Sequence, residues 1–361
     1  MQRLDAMPAR YPINGTFELT LRCNLQCKMC MFRHSPGENK ALQEQELTAQ
    51  QWIDLARQAF DRGTLNLLIT GGEPMVRKDF CEIYAGIYQI GFLTTLYTNA
   101  TCVTPEVMAL LRKCPPHRIG VTLYGASNET YEKVTGRPDG FDRAMAGLEQ
   151  LRTLPSVLDF RMTLVKDSVS DADAIADLVK ERFGGEVTHT SRIFGSVRGG
   201  CCQPEQYRLS PEENWELTYG RTLRRIQEKL PPQLQDCVQV RLQQEKRECR
   251  KGQTQYTLLG CSAGMDSYTL TWDGKLLGCQ MLGNFWTDAT QGFAKAWEEY
   301  PYAVQLPAEN ETCAACPQRQ LCTVCPAVRM AECKNLTDIP QYICQSTKLL
   351  ERRGFANEKK I

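Results

Sequence analysis

The chain has 361 residues, with 43 lysines and arginines against 42 aspartates and glutamates, so its formal net charge is only +1. This balance gives no support to binding of nucleic acid or of an anionic membrane surface, because proteins that bind either partner typically carry an excess of basic residues. The length predicts two or three domains. The longest apolar stretches are too short to span a membrane, and the N-terminus lacks the apolar core of a signal peptide, so we expect a cytoplasmic protein.

Short β-prone runs alternate with amphipathic helical patterns from residue 17 onward. The predicted strands are 17–20, 65–69, 94–97, 119–123, 159–164 and 186–193. The predicted helices between them are 48–62, 79–90, 105–112, 141–154 and 171–182. Such alternation is typical of βαβ units on a parallel sheet, and six repeats are too few for an eight-stranded barrel. We therefore predict an α/β fold, a partial (β/α)6 TIM barrel.

Three cysteines, Cys23, Cys27 and Cys30, follow the first predicted strand in the string CNLQCKMC. In parallel α/β folds, ligands bind at the carboxyl ends of the strands. Thiolates with this spacing can hold three irons of a [4Fe–4S] cube and leave the fourth iron open. A zinc site is the alternative, but it requires a fourth ligand, and the nearby His34 is a lone histidine.

This cysteine triple, directly after the first strand, resembles the signature of the radical S-adenosylmethionine (radical SAM) superfamily. The resemblance implies that S-adenosyl-L-methionine binds the open iron of the [4Fe–4S] cluster. One-electron reduction, by a flavodoxin- or ferredoxin-type reductant, then yields a 5′-deoxyadenosyl radical that abstracts a substrate hydrogen. Met29 occupies a position that is usually aromatic in this family and lies against the adenine, and a thioether can make similar contacts.

The string Gly71, Gly72, Glu73 and Pro74 follows the second predicted strand and resembles the GGEP element of the family. Glycines let the backbone approach a ligand, and the Glu73 carboxylate can pair with the ammonium group of the cofactor. In isolation this string would be only a turn. Its place one strand after the cysteine triple favours a cofactor-binding role.

Later strand ends supply the remaining cofactor-binding candidates. By resemblance, Thr98 and Asn99 at the end of the third strand line the ribose and substrate side of the pocket. Arg161, on the fifth strand, could pair with the carboxylate of the cofactor, although an exposed strand-edge arginine explains it almost equally well. Arg192 and Ile193 on the sixth strand reach the rim where the family packs backbone against adenine.

The composition changes after the predicted barrel. We predict the barrel at 13–205, a helical bridge at 206–255, a cysteine-rich domain at 256–350 and a flexible tail at 351–361. The bridge contains a predicted helix at 210–229, which begins with the N-terminal signature Ser-Pro-Glu-Glu. The chain has 18 cysteines, too many for packing alone, and a reducing cytoplasm disfavours disulfides, so metal ligation is expected for most of them.

The second cysteine set resembles the SPASM extension of radical enzymes that modify peptides and proteins. Its members are Cys261, Cys279, Cys313, Cys316, Cys322, Cys325 and Cys344. By resemblance, one auxiliary [4Fe–4S] cluster is held by Cys313, Cys316, Cys322 and Cys344. Cys325 then joins Cys261 and Cys279 on a second auxiliary cluster. Cys249 is the preferred eighth ligand, with Cys333 or an exogenous ligand as alternatives, so one or two auxiliary clusters are expected. The spacing between Cys322 and Cys325 departs from the family pattern, and zinc remains the alternative for the C-x2-C pairs.

The residue after Cys279 bears on the substrate. Sulfatase maturases place an aspartate there as a proton acceptor, whereas this chain has Gln280, whose amide cannot act as that base. Tyr124 and Gln280 are the predicted substrate-side catalytic residues. We therefore expect a maturase that abstracts hydrogen from a ribosomally made peptide and forms a thioether or carbon–carbon crosslink. Few residues precede the first strand, so a fused leader-binding domain is not expected, and a separate leader-binding protein is a candidate partner.

Two alternatives stay open. A dehydrogenase of a small alcohol or amino sugar would carry one auxiliary cluster, and its iron content would be lower than that of a three-cluster enzyme. A non-catalytic iron–sulfur electron carrier would form no 5′-deoxyadenosine when it is reduced with S-adenosylmethionine.

Overall fold

The computed structural model describes residues 9–201, 203–220, 229, 231, 258–319 and 321–354. In this part of the chain one mixed sheet contains nine strands. They are β1 (Asn14–Glu18), β2 (Asn66–Thr70), β3 (Leu93–Thr98), β4 (Arg118–Leu123), β5 (Val157–Thr163), β6 (Val187–Thr190), β7 (Ser267–Leu270), β8 (Lys275–Leu277) and β9 (Trp286–Asp288).

The first six strands lie side by side in chain order, and every neighbouring pair is parallel. Phe17 on β1, for example, lies opposite Ile69 on β2. This arrangement confirms the predicted α/β partial barrel. The bounds differ most for the first and last of these strands: the strand predicted at 17–20 spans Asn14–Glu18, and the strand predicted at 186–193 ends at Thr190.

Three further strands extend the sheet beyond β1. β7 pairs in parallel with β1 and places Tyr268 opposite Gly15, and β8 and β9 follow in antiparallel order. A Cβ at position 15 would lie 2.6 Å from the Tyr268 hydroxyl, so only glycine leaves room for this ring over β1. The sequence analysis predicted no strand in this region and missed all three.

Helices connect the strands and cover the sheet. Those of the described residues are α1 (Asn39–Gln45), α2 (Ala49–Asp61), α3 (Phe80–Ile90), α4 (Pro105–Lys113), α5 (Asn128–Thr135), α6 (Gly140–Leu151), α7 (Ala172–Phe183), α8 (Pro211–Trp215), α9 (Phe293–Ala303), α10 (Glu311–Ala314), α11 (Pro326–Cys333) and α12 (Gln341–Gly354). The five predicted barrel helices are confirmed as α2, α3, α4, α6 and α7, whereas α1 and α5 were not predicted.

Local sequence signals explain where two of these helices begin. Thr48 and Gln51 form a capping box at the start of α2, in which each side chain bonds the backbone of the other residue. Ser210 and Glu213 do the same for α8. The helix predicted at 210–229 therefore starts as expected, with an α-helical segment Pro211–Trp215 and a π-helical turn Glu216–Gly220, and residues 221–228 of the prediction lie outside the described residues.

Contacts divide the chain into two compact units. The first comprises Met1–Arg208 and Ser262–Gln305, and the second comprises Leu209–Cys261 and Leu306–Ile361. The first unit therefore includes β7 to β9, which the sequence boundaries assign to the cysteine-rich domain; the four predicted domains stay predictions. Within the described residues, every helix is too short or too polar to cross a membrane.

The core of the first unit lies between the sheet and its helices. Phe17 on β1 and Trp52 on α2 are fully buried, and their ring centroids lie 5.1 Å apart. Burial of each such side chain stabilises the fold by about 1.5–3 kcal/mol. This packing fixes the position of β1, and with it the loop that follows.

Candidate functional site

A pocket of about 180 Å³ lies at the carboxyl ends of β1 to β4. It is lined by Leu21, Cys23, Leu25, Gln26, Cys27, Cys30, Phe32, Arg33, His34, Asn39, Thr70, Gly71, Gly72, Tyr97, Thr98, Asn99, Thr122 and Tyr124. The structure thus brings the predicted cysteine triple together with predicted residues from three other strand ends. The pocket is where a parallel α/β fold is expected to bind its ligand.

The three thiols of the pocket lie in a buried environment. Burial, followed by the nearby charge of Glu73, raises the pKa of Cys23 to about 12. Burial also raises the pKa of Cys27 and of Cys30, and backbone N–H groups that point at the Cys30 sulfur partly offset this effect. Without a cation the thiols therefore stay protonated, whereas a coordinating metal deprotonates such a group outright. This donor set fits an iron–sulfur cluster.

The loop that carries the thiols is held by hydrogen bonds. The backbone N–H of Leu25 donates to Cys23 Sγ at 3.4 Å, and that of Phe32 donates to Cys30 Sγ at 3.3 Å. Cys30 N also donates to the carbonyl of Cys27 at 3.0 Å. Among the described residues, no three His, Cys, Asp or Glu side chains stand close enough to hold a single metal ion.

Polar residues at the end of β3 fasten the loop at Cys23. Asn99 Nδ2 donates to Asn24 Oδ1 at 3.0 Å and lies 3.8 Å from Cys23 Sγ. Asn24 Nδ2 in turn donates to Thr101 Oγ1 at 2.6 Å, and the Thr101 hydroxyl donates to Asn99 Oδ1 at 2.6 Å. The predicted residue Asn99 therefore touches the cysteine loop itself.

Tyr124 also lines the pocket, as its assignment to the substrate side requires. Burial raises the pKa of the Cys27 thiol, and the nearby hydroxyl of Tyr124 partly opposes that change. The structure therefore gives Tyr124 a contact to a candidate cluster ligand. A catalytic role for Tyr124 stays a prediction.

Gly71 and Gly72 pack directly against the backbone that leads into the cysteine loop. A Cβ on Gly71 would lie 2.5 Å from the carbonyl oxygen of Thr20, and one on Gly72 would lie 2.4 Å from that of Arg22. Gly72 N donates to the Thr20 carbonyl at 2.7 Å. The glycines thus allow β2 and the segment before Cys23 to approach each other, as well as lining the pocket.

Glu73 is fully buried, and its carboxylate is hydrogen-bonded to other groups of the protein. It accepts hydrogen bonds from Thr98 Oγ1 at 2.9 and 3.0 Å, from Asn99 N at 2.7 Å and from Met75 N at 3.2 Å. Desolvation raises its pKa to about 7, and the hydrogen bonds oppose that change. Glu73 therefore positions the end of β3, and a contact with the cofactor ammonium stays a prediction. Pro74 is buried at the start of the turn that follows.

Two of the predicted residues lie in an apolar cluster behind the thiols. Met29 and Ile193 are buried there together with Leu25 and Cys27, and Cys30 packs against them. Neither Met29 nor Ile193 is among the residues that line the pocket. Their part in binding adenine stays a prediction, and in the structure they shield the cysteine loop from water.

The remaining predicted residues of the first unit are not among those that line the pocket. Arg161 lies 4.2 Å above the Tyr97 ring and pairs with Asp159 at 2.7 Å, so its guanidinium already has a carboxylate partner. Arg192 is partly buried and Gln280 is exposed. Roles for these residues in catalysis or cofactor binding stay predictions.

The second unit contains the other group of cysteines. The pKa of Cys344 is raised first by burial and then by the nearby thiols of Cys322, Cys313 and Cys316, so these four lie together. Burial raises the pKa of Cys325, and the Cys261 thiol adds to the effect. The ligand sets expected from the SPASM resemblance stay predictions. Cys279 belongs to the first unit, and Cys249 lies outside the described residues.

Ten residues that line the pocket were not predicted as site residues, and one of them is a histidine. His34 lines the pocket, although it forms no recognisable motif with His117 or His189. The only signal in the sequence was its position four residues after Cys30.

Comparisons with known proteins agree with this geometry. The family model of the radical SAM superfamily matches residues 17–179. The chain is 30% identical over 183 residues to the AdoMet-dependent heme synthase of Methanosarcina barkeri (strain Fusaro / DSM 804). That match covers 51% of this chain and 51% of the heme synthase, so the chain spans about half the length of this curated relative.

Two solved structures share the fold. A crystal structure of Streptococcus suis SuiB bound to S-adenosylmethionine has a TM-score of 0.66 at 16% identity, covering 93% of this chain and 79% of SuiB. Native anSMEcpe with bound AdoMet has a TM-score of 0.62 at 14% identity, covering 96% of this chain and 97% of anSMEcpe. At these identities the likeness shows a common fold.

Proposed function

Residues 17–179 belong to the radical SAM superfamily, and on this premise we propose that the chain is a maturase that abstracts hydrogen from a ribosomally made peptide. The observation that carries the proposal is the convergence of Cys23, Cys27 and Cys30 on one pocket at the carboxyl ends of the parallel strands. The product is a thioether or carbon–carbon crosslink within the peptide. The 5′-deoxyadenosyl radical would take one hydrogen atom from the peptide, and closing the crosslink would release a proton and a second electron, which an auxiliary cluster would accept.

The three thiols would hold a [4Fe–4S] cluster at three of its irons and leave the fourth for S-adenosylmethionine. When bound and reduced, this pair of cofactors supplies a 5′-deoxyadenosyl radical. The chain itself excludes water, because Leu25, Met29 and Ile193 form an apolar cluster against the cysteine loop.

The chain also fixes the orientation of the ligands. The amide of Asn99 holds the loop at Cys23, and the hydroxyl of Tyr124 lies near the Cys27 thiol and lowers its pKa. Hydrogen bonds to cluster sulfurs raise the reduction potential, because they stabilise the additional negative charge of the reduced state. Electrons would come from a flavodoxin- or ferredoxin-type reductant.

Two observations support a peptide as the substrate. The fold likeness to SuiB extends over 93% of this chain, and a further crystal structure shows SuiB bound to its precursor peptide SuiA. In addition, the second unit groups the thiols of Cys313, Cys316, Cys322 and Cys344, a donor set suited to an auxiliary [4Fe–4S] cluster. A separate leader-binding protein is the proposed partner of such a reaction.

The exposed Gln280 argues against one peptide reaction. An amide cannot accept the proton that an aspartate accepts beside the second auxiliary cysteine of sulfatase maturases. Sulfatase maturation is therefore not the reaction that we propose.

A tetrapyrrole is the second candidate substrate, because the sequence match at 30% identity is to a protein named AdoMet-dependent heme synthase. An iron-containing porphyrin carries propionate side chains, whose C–H bonds a radical could attack. This candidate needs the same cofactors and differs only in the molecule that supplies the hydrogen.

Deuterium transfer separates the candidate functions. The reconstituted, reduced protein would be mixed with S-adenosylmethionine and either a deuterated candidate peptide, encoded beside the gene, or deuterated Fe-coproporphyrin III. Deuterium in 5′-deoxyadenosine from the peptide alone supports the maturase, and deuterium from the porphyrin alone supports the second candidate. Transfer only from a small alcohol or amino sugar supports a dehydrogenase, and absence of 5′-deoxyadenosine supports an electron carrier.

A further inference from the structure

His34 presents an unsatisfied polar atom in the candidate cofactor pocket. It lines the same pocket as Cys23, Cys27 and Cys30. Its Nε2 is buried and has no hydrogen-bond partner in the described part of the chain. A buried polar atom left unpaired destabilises a protein, so an imidazole held in this way requires an explanation.

The imidazole is confined by a glycine. A Cβ on Gly199 would lie 2.9 Å from His34 Cε1, and Gly199 has a φ of +94°, a backbone conformation that favours glycine. Any larger residue at position 199 would therefore have to displace the ring. The glycine lets the backbone pack against the edge of the imidazole.

The segment that contains Gly199 is itself fastened to the cysteine loop. Ser196 Oγ donates to the Met31 carbonyl at 2.6 Å, and Cys201 N donates to the Cys30 carbonyl at 2.9 Å. A Cβ on Gly200 would lie 2.2 Å from the Met31 carbonyl carbon. The ring of His34 is thus fixed relative to the thiols by contacts on both sides of Gly199.

We infer that His34 Nε2 hydrogen-bonds a polar atom of the S-adenosylmethionine that binds beside the three thiols, and so fixes the position of this cofactor. The bond satisfies the buried nitrogen only when the cofactor is present. The inference rests on the proposed function and adds to it a binding residue outside the motifs that the sequence analysis identified. S-adenosylmethionine is the inferred partner, rather than the peptide, because His34 shares its pocket with all three candidate cluster ligands.

The test measures binding of labelled S-adenosylmethionine by equilibrium dialysis to the anaerobically reconstituted full chain. His34→Leu removes the nitrogen, His34→Gln places an amide close to the position of Nε2, and His117→Leu serves as a matched control at an exposed histidine. We expect His34→Leu to raise the Kd about tenfold, which corresponds to about 1.4 kcal/mol. His34→Gln should recover most of the affinity, and His117→Leu should not change it.

Two further measurements distinguish a cofactor contact from a structural role of His34. The iron content should equal that of the wild type in all variants, and the melting temperature of the cofactor-free His34→Leu protein should not fall. Wild-type affinity in His34→Leu, or weaker binding that follows a loss of stability or of iron, would overturn the inference. A wild-type protein that carries the cluster but does not bind S-adenosylmethionine would instead overturn the proposed function as well.

Discussion

Arg198 and Glu18 form a bidentate ion pair inside the first unit, with Nη1–Oε1 and Nη2–Oε2 distances of 2.9 and 2.6 Å. Glu18 ends β1 and is fully buried, whereas Arg198 lies in the segment after β6. β1 and β6 are at opposite ends of the six-stranded parallel row, so this pair joins elements that the sheet does not pair. Arg198 also donates to the Gln280 carbonyl at 3.4 Å and lies 4.8 Å from the ring centroid of Phe32.

Removal of one partner should destabilise the protein strongly. Arg198→Met leaves the Glu18 carboxylate buried without its cation, and we expect the free energy of unfolding in urea to fall by about 3–5 kcal/mol. The double variant Glu18→Met with Arg198→Met should recover most of that loss, because it leaves no buried charge. A single variant within 1 kcal/mol of the wild type, by the same urea measurement, would contradict this prediction.

Glu73 should make stability depend on pH. Desolvation raises its pKa from 4.5 to about 7, so the folded state keeps a proton that the unfolded chain loses near pH 4.5. The stabilising effect is complete below the unfolded pKa and is lost as the pH rises towards 7. The free energy of unfolding of the wild type relative to Glu73→Gln should therefore fall by about 3 kcal/mol over this window. Urea unfolding at several pH values measures the difference; a constant or rising difference would show the prediction to be wrong.

Gly72 should be intolerant of a side chain. A Cβ at this position would lie 2.4 Å from the Arg22 carbonyl oxygen and 2.6 Å from that of Leu21, so Gly72→Ala must displace the backbone just before Cys23. We expect a loss of about 1–3 kcal/mol in the free energy of unfolding and a lower iron content after reconstitution. Gly37→Ala is the matched control, because the nearest atom to its new Cβ is 3.9 Å away. Equal stability and iron content in the two variants would exclude this role for Gly72.

Tyr124 should raise the reduction potential of the cluster that the cysteine loop is proposed to hold. Tyr124→Phe removes the hydroxyl that lowers the pKa of the Cys27 thiol and keeps the ring, whose T-shaped contact with Tyr131 has a centroid distance of 5.9 Å. We expect a more negative reduction potential, because the charge of the reduced state loses a donor. A potentiometric titration followed by electron paramagnetic resonance measures it. An unchanged or more positive reduction potential would show that the Tyr124 hydroxyl does not act on the cluster.

Local patterns were sufficient to predict the barrel and the cysteine loop. Short β-prone runs that alternate with amphipathic helical patterns identify β1 to β6. The thiols of Cys23, Cys27 and Cys30 are close in sequence as well as in space. The strand β7 was missed because it is stabilised by pairing with β1, which lies more than two hundred residues away in the sequence. The short sequence of β7 alone does not indicate that pairing.

The polar contacts of the site were harder to predict for the same reason. Arg198 and Glu18 are 180 residues apart, and neither belongs to a motif. The role of His34 could not be predicted from the sequence, because it depends on the packing of Gly199 against the imidazole ring. Glu73 was recognised in its motif, but its hydrogen bonds to Thr98 and Asn99 depend on the exact packing of two strand ends.

Formation of 5′-deoxyadenosine tests most directly whether the cysteine loop is a radical SAM centre. The wild type, Cys30→Ala and the control Cys114→Ala, which changes a cysteine outside the pocket, would be reconstituted anaerobically and incubated with S-adenosylmethionine and dithionite. Chromatography should detect 5′-deoxyadenosine with the wild type and Cys114→Ala but not with Cys30→Ala. Its absence from the iron-loaded wild type, or its formation by Cys30→Ala at the wild-type rate, would contradict the proposed function.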